Sequence, residues 1–295
     1  MTGGPISTGR ARTSAPGSSK ARQALRVKRR PSYGRRSVDL MIVMLVIGIF
    51  YAGMTNPNFQ WDVVAQYLTH GAILRGLVTT LQLTVIAMLL GTGVGILIAL
   101  LMLSEEPGPR AFAASYKWLL RGTPLLVQLI FWFNISALYP NIALTLPGGY
   151  ELFSFSGNAI TPFMAAVLGL ALHESAYMAE IIRGGVLAVG TGQQEAATAL
   201  GMRKMQAFFR IVLPQALRVI VPATGNQVIL MLKTTSLVSV IALPELLYSA
   251  QTIYARTFQI IPLLLVASIW YLAVCSLLSI GQFLLEKRLG QGYRR

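Results

Sequence analysis

At 295 residues, 54% of them hydrophobic and only 12% charged, the chain carries about half the charge usual in a soluble domain, which excludes an ordinary water-soluble fold. The net charge of +15 would suit a nucleic-acid partner, but ten of the 25 basic residues precede residue 37, and a basic tail ahead of a membrane helix instead holds an N-terminus in the cytoplasm and touches membrane lipid. A single cysteine, Cys275, and two histidines, His70 and His173, leave no disulfide framework, no cysteine metal site and no histidine-rich metal site.

Residues 1–37 are rich in Gly, Ser, Pro and Arg with almost no large apolar side chains, the composition of a disordered, basic cytoplasmic tail. The apolar run from Leu40 to Met54 is followed by Thr55, Asn56 and Pro57 rather than by a small-x-small cleavage pattern. It reads as an additional N-terminal transmembrane helix over 38–56, not as a signal peptide. Spanning helices are expected at 39–54, 73–103, 119–139, 161–187, 217–242 and 261–284, several of them longer than the about 20 residues that a bilayer demands. None of these runs alternates with period two, so the expected fold is an all-α, polytopic bundle of about six transmembrane helices rather than a barrel. The small residues Gly91, Gly93, Gly95 and Ala99 on the second helix permit close packing between helices.

A cytoplasmic N-terminus requires the loops at 104–118 and 188–216 and the tail from 285 to be cytoplasmic too. Twenty-two of the 25 basic residues then fall inside, Arg75 and Arg256 fall outside, and Lys233 lies within a helix. The positive-inside rule is met by a wide margin.

The loop at 188–216 is more than a connector. Glu195, Ala196, Ala197 and Leu200 predict a short helix, with Thr191 or Gln193 near its start and Gly201 at its C-cap. A second short helix is expected from Lys204 to Leu213, ended by Pro214. The apolar residues Ala196, Ala197, Leu200, Phe208, Phe209 and Ile211 suit a groove in another protein. Together with Arg203 and Arg210 they suit the lipid interface equally well.

This loop resembles the signature of the integral-membrane permease subunits of binding-protein-dependent ATP-binding-cassette (ABC) importers: Glu-Ala-Ala, three residues, Gly, nine residues, Ile, one residue, Leu-Pro. Every fixed position is matched, by Glu195, Ala196, Ala197, Gly201, Ile211, Leu213 and Pro214. The stretches Arg121 to Gln128, Ser175 to Gly185 and Leu232 to Ser239 are similar to the polar amino acid subgroup, and the resemblance covers a permease domain at 73–288, followed by a short tail at 289–295. It implies the type I ABC importer transmembrane-domain fold, with the loop as a cytoplasmic coupling helix seated in a separate ATPase. It further implies ATP and magnesium on that ATPase, no cofactor on this chain, a substrate-binding protein outside the membrane, and a second permease subunit, identical or related. The chain holds no Gly-x-x-x-x-Gly-Lys-[Ser/Thr] phosphate loop, so ATP hydrolysis by that route, and an enzymatic role, are not expected of it.

Ionisable residues inside a membrane are candidate transport groups. His173, Tyr177 and Glu180 recur at helical spacing, with Arg183 one turn on. A zwitterionic amino acid needs a carboxylate for its ammonium group and a cation for its carboxylate, which makes Glu180, Lys233, Tyr177 and Thr234 the candidate substrate path. Equally open is a structural role, with Glu180 paired to Arg183 and Lys233 bonded to helix carbonyls, Thr234 or Ser236. An ion-coupled secondary transporter would show repeated halves, which the chain lacks, and a permease for an opine or organic amine stays within the importer class.

Overall fold

The computed structural model describes residues 33–145 and 151–290. The basic tail as far as residue 32 and the last five residues lie outside the described residues. The chain divides after Asn56 into two units. The first holds α1 (Tyr33–Thr55), which starts four residues ahead of the tail boundary expected from composition; from Val38 to Met54 its only charged residue is Asp39, so it is apolar on every side.

The second unit runs α2 (Trp61–Leu68), α3 (Gly71–Leu103), α4 (Pro107–Gly122), α5 (Leu125–Phe133), α6 (Ile135–Leu138), the strands β1 (Asn141–Thr145) and β2 (Glu151–Ser156), then α7 (Pro162–Leu187), α8 (Thr191–Ala199), α9 (Lys204–Ala207), α10 (Leu213–Thr234), α11 (Leu246–Thr257) and α12 (Ile260–Gly290). The antiparallel pair β1–β2 is the one sheet among the described residues. Five helical stretches among them are long and apolar enough to cross a membrane: Ser37–Thr55, Gly71–Leu103, Pro162–Leu187, Lys204–Ile241 and Ile260–Leu289.

The expected third span at 119–139 is corrected to a broken one. α4 ends at Gly122, Thr123 is extended with φ −109° and ψ 141°, and α5 has only nine residues, about 14 Å at 1.5 Å per residue. Pro124 causes the break, because its ring disfavours helical geometry at the residue before it. The Gln128 amide donates to the carbonyls of Leu120 (2.8 Å) and Thr123 (3.1 Å), supplying donors that the interrupted ladder cannot.

The helix expected to stop at Pro214 is also corrected. α9 passes through a π turn over Phe208–Val212 into α10, where Pro214 sits in the first turn. Proline is tolerated there, and the wider π turn absorbs the N–H it lacks. A run of 3₁₀ helix over Thr235–Ile241 completes the stretch.

α3 and α7 form the most extensive helix pair. A Cβ on Gly91 would lie 2.9 Å from Glu174 Cβ, and one on Gly95 would lie 2.7 Å from Met178 Cβ, so only a missing side chain lets these backbones meet. Gly93 faces open space. Around this contact Leu83, Ala87, Leu129, Leu170, Met231 and Val238 form the largest buried cluster. A second cluster joins α2, α3, α11 and α12 through Ile73, Leu246, Leu263 and Val266. At that junction the fully buried carboxylate of Glu245 accepts from Tyr248 N (2.7 Å), the Tyr271 hydroxyl (2.8 Å) and the Thr80 hydroxyl (3.4 Å), while Thr80 accepts from Leu246 N (3.1 Å). Glu245 thereby caps α11 and ties it to α3 and α12, a buried acid held by donors from three elements.

Candidate functional site

Two features stand out: a capped knob at one end of the bundle and a polar cavity where α4 breaks.

The knob is α8, α9 and the π turn. α8 closes with two bonds from beyond its end, Gly201 N to Thr198 O (2.9 Å) and Met202 N to Ala197 O (3.1 Å), with Gly201 at φ +72°. This is the Schellman arrangement, and it explains the glycine that the sequence places at the C-cap. The next turn is started by the Gln206 side chain, which accepts from Arg203 N at 3.2 Å.

Within the signature the side chains divide. Ala197 is only 1% exposed, turned inward, and α8 packs on α9 and the π turn. Glu195 and Ala196 are exposed, and Leu200 is 80% exposed alongside exposed Met205 and Phe209. Val212, Ala216 and Ile220 pack with Val189 and the last turns of α7, so the knob is rooted in the bundle. Ile211 and Leu213 are half-buried and Pro214 is exposed. The face available to another molecule is therefore Glu195, Ala196, Leu200, Met205 and Phe209; Ala197, Gly201 and Leu213 hold its shape.

The second feature is a cavity of about 500 Å³ lined by Arg121, Thr123, Pro124, His173, Tyr177 and Thr234, among others. Of the four residues singled out in the sequence, Tyr177 and Thr234 line it. Glu180 stands beside it, accepting from Lys117 Nζ (2.7 Å) and Arg183 Nη2 (2.8 Å), with Arg121 Nη1 at 3.6 Å. Three cations around one carboxylate leave an excess of positive charge. The Arg121 guanidinium lies over the Tyr177 ring at 4.7 Å, a cation–π contact, and the His173 ring is 5.2 Å from that of Tyr177. His173 Nδ1 is buried without a hydrogen-bond partner. Lys233 is exposed and does not line the cavity.

Sequence reasoning missed Lys117 and Arg121 as site residues. Their i,i+4 spacing on an amphipathic α4 puts both on one face, which was the available signal. It could not reveal that this face meets Glu180, 63 residues from Lys117. Glu174, buried at the α3–α7 contact, accepts from Gln227 of α10 at 3.3 Å and so links the two helices that flank the cavity.

The described residues thus form a helical bundle with five stretches long and apolar enough to cross a membrane, a knob rooted in that bundle and a cavity at a broken helix. Residues 91–291 match the family described as the binding-protein-dependent transport system inner membrane component. The chain is 40% identical over 265 residues to the arginine transport system permease protein ArgU of Corynebacterium glutamicum, covering 89% of this chain and 82% of that one. It is 37% identical over 231 residues to the L-cystine transport system permease protein TcyB of Bacillus subtilis, covering 78% and 91%. Among solved structures, an amino acid ABC transporter with histidines matches at 37% identity and a TM-score of 0.63, over 74% of this chain and 94% of that one. The MetNI methionine ABC transporter shares the fold at 16% identity and a TM-score of 0.61. The chain belongs to this family of ABC permease transmembrane subunits, which supersedes the ion-coupled transporter alternative.

Proposed function

We propose that this chain is the membrane-spanning permease subunit of an ATP-driven importer that moves polar amino acids across the cytoplasmic membrane by alternating access. The observation that carries the reading is the complete signature from Glu195 to Pro214, whose first part lies on a capped helix that leaves Glu195 and Ala196 exposed. The arginine and L-cystine permeases among its relatives favour amino acids over opines and organic amines. The partners are two ATPase subunits, which hold ATP and magnesium, a second permease subunit and an external substrate-binding protein. The charge distribution supports cytoplasmic N- and C-termini and a cytoplasmic knob.

In this mechanism Glu195, Ala196 and Leu200 seat in the ATPase. When the ATPase dimer closes, the knob moves with it. α9, the π turn and α10 are one unbroken helical stretch, so displacement of the knob enters α10 directly and reaches α7 through Gln227 and Glu174. The cavity between α4, α7 and α10 then alternates its exposure. In this reading Arg121, stacked on Tyr177, meets the substrate carboxylate, and the Thr234 hydroxyl oxygen on the same cavity wall meets its ammonium end. Glu180, held by Lys117 and Arg183, positions Arg121 and remains part of the path; Lys233, on its exposed face, is proposed to meet substrate only in another conformation.

Affinity purification of the tagged chain from its own membrane tests the assignment. A P-loop ATPase is expected to accompany the wild type and to be lost from Glu195→Lys; its absence from the wild type under conditions that preserve such complexes would overturn the reading. For the path, Glu180→Gln is expected to lower uptake about ten-fold or more, since a charged hydrogen-bond partner is worth about 1.5–3 kcal/mol. Normal uptake by both Glu180→Gln and Lys233→Met, at normal protein levels, would remove these residues from the path.

A further inference from the structure

Arg75 and Arg256, the two basic residues that the charge distribution leaves outside, are 181 positions apart in sequence, yet they line one cavity. It measures about 560 Å³ and opens between the first turns of α3 and the length of α11. The two helices approach closely beside it, where a Cβ on Gly76 would lie 2.8 Å from the Glu245 carbonyl oxygen. No carboxylate lines the cavity, and neither arginine has an acidic partner among the described residues.

The remaining donors reinforce this charge. His70, at the N-cap of α3, accepts from Ala72 N through Nδ1 at 3.3 Å, which leaves Nε2 to carry the ring proton and donate into the cavity. Tyr67 packs against His70 with ring centroids 5.4 Å apart. The hydroxyls of Thr79, Thr252 and Thr257 each donate back to the carbonyl four residues earlier, so they offer lone pairs and no strong donor. The pocket is thus built around two guanidinium groups and an imidazole N–H at the positive end of a 33-residue helix. Such a lining suits an anion.

The surroundings identify which anion. Beside Arg75, the side chains of Leu74, Val78, Leu81, Val85 and Leu89 are exposed and form one stripe along α3 at helical spacing. Beyond Arg256, Phe258 is 85% exposed, and Ile260 and Ile261 are exposed as well. α3 is about 50 Å long at 1.5 Å per residue, against about 40–45 Å for a bilayer with its headgroups, so a spanning α3 reaches headgroup level at both ends. Guanidinium groups bracketed by exposed apolar side chains at that depth face the membrane boundary rather than open water.

We propose that this cleft binds the headgroup phosphate of an anionic phospholipid, with Arg75 and Arg256 on the phosphate oxygens and an acyl chain along the Leu74-to-Leu89 stripe. A lipid whose headgroup also carries an ammonium ion brings a cation that no carboxylate in the cleft can meet. Only the leaflet, the outer one, rests on the orientation proposed above; the site itself does not depend on transport.

The test uses the full chain, delipidated in detergent and offered equal amounts of phosphatidylglycerol and phosphatidylethanolamine, with retained lipid counted by native mass spectrometry. The wild type is expected to retain phosphatidylglycerol preferentially. The pair Arg75→Gln/Arg256→Gln is expected to lose that preference by roughly thirty-fold, at about 1 kcal/mol per arginine near a lipid surface, while Arg75→Lys/Arg256→Lys keeps most of it. The single glutamine variants, each expected to lose about five-fold, give the readout if the pair does not fold. Equal retention of the two lipids by the wild type, or an unchanged preference in the glutamine variants, overturns the proposal. Displacement of phosphatidylglycerol by an equal concentration of soluble glycerol phosphate overturns it in favour of a free-anion site. Unchanged lipid preference with loss of binding-protein capture in the glutamine pair overturns it in favour of a protein docking surface.

Discussion

Replacing Gly201 with proline is expected to abolish uptake while leaving the protein inserted in the membrane. Gly201 has φ +72°, and proline is confined to about −65°, so the chain cannot leave α8 along its present course. The substitution also removes the N–H that Gly201 donates to Thr198 O. The Met202 bond to Ala197 depends on the same turn, and with both lost α8 cannot present Glu195, Ala196 and Leu200 together. The expected measurements are loss of ATPase co-purification and of uptake, with normal membrane content and a spanning bundle of near-normal thermal stability. Gly201→Ala provides the graded comparison: an L side chain in the left-handed region costs about 1–2 kcal/mol, which should weaken ATPase association without eliminating it. Full co-purification of the ATPase with Gly201→Pro would separate the knob from coupling.

The second large effect is expected at the α3–α7 crossing. Gly95→Leu would put its Cβ 2.7 Å from Met178 Cβ and 3.0 Å from Ser175 O, where backbone on one side leaves little to move. Overpacking of this kind costs about 1–3 kcal/mol, and here the displaced helix also carries Tyr177 and Glu180. Thermal stability in detergent and uptake are expected to fall together. Gly93→Leu, two positions away and facing open space, is expected to change neither. Equal tolerance of the two substitutions would mean that α3 and α7 do not pack this closely in the membrane.

That pair of glycines marks how far the sequence could be read. Gly91, Gly93, Gly95 and Ala99 are equivalent as small residues in an apolar run; helical periodicity puts Gly91, Gly95 and Ala99 on one face but does not say which face meets a neighbour. The structure selects that face, with Ala99 buried as well. Pro124 is a local signal of a break, yet the apolar run from 119 to 139 predicts a span across it, because hydropathy measures composition over a window and is blind to one missing backbone donor. Pro214 shows the opposite case: proline predicts the end of a regular helix, but a preceding π turn accommodates it in the first turn of α10. At the candidate site, Tyr177 and Thr234 are legible as polar residues in apolar runs, while the roles of Lys117, Arg121 and Glu245 are not, since their partners lie far along the chain.

Composition, charge placement and signature spacing, all local or additive properties, by themselves determined a multi-pass helical protein with a basic tail, a loop capped at Gly201 and the approximate places of five spanning runs. The tertiary structure alone decided that Ala197 turns inward while Leu200 turns outward, that Glu180 gathers Lys117, Arg121 and Arg183, and that Arg75 and Arg256 share one cleft. Each of these depends on which helix faces meet, and that choice is made by packing between segments that the order of residues does not place side by side.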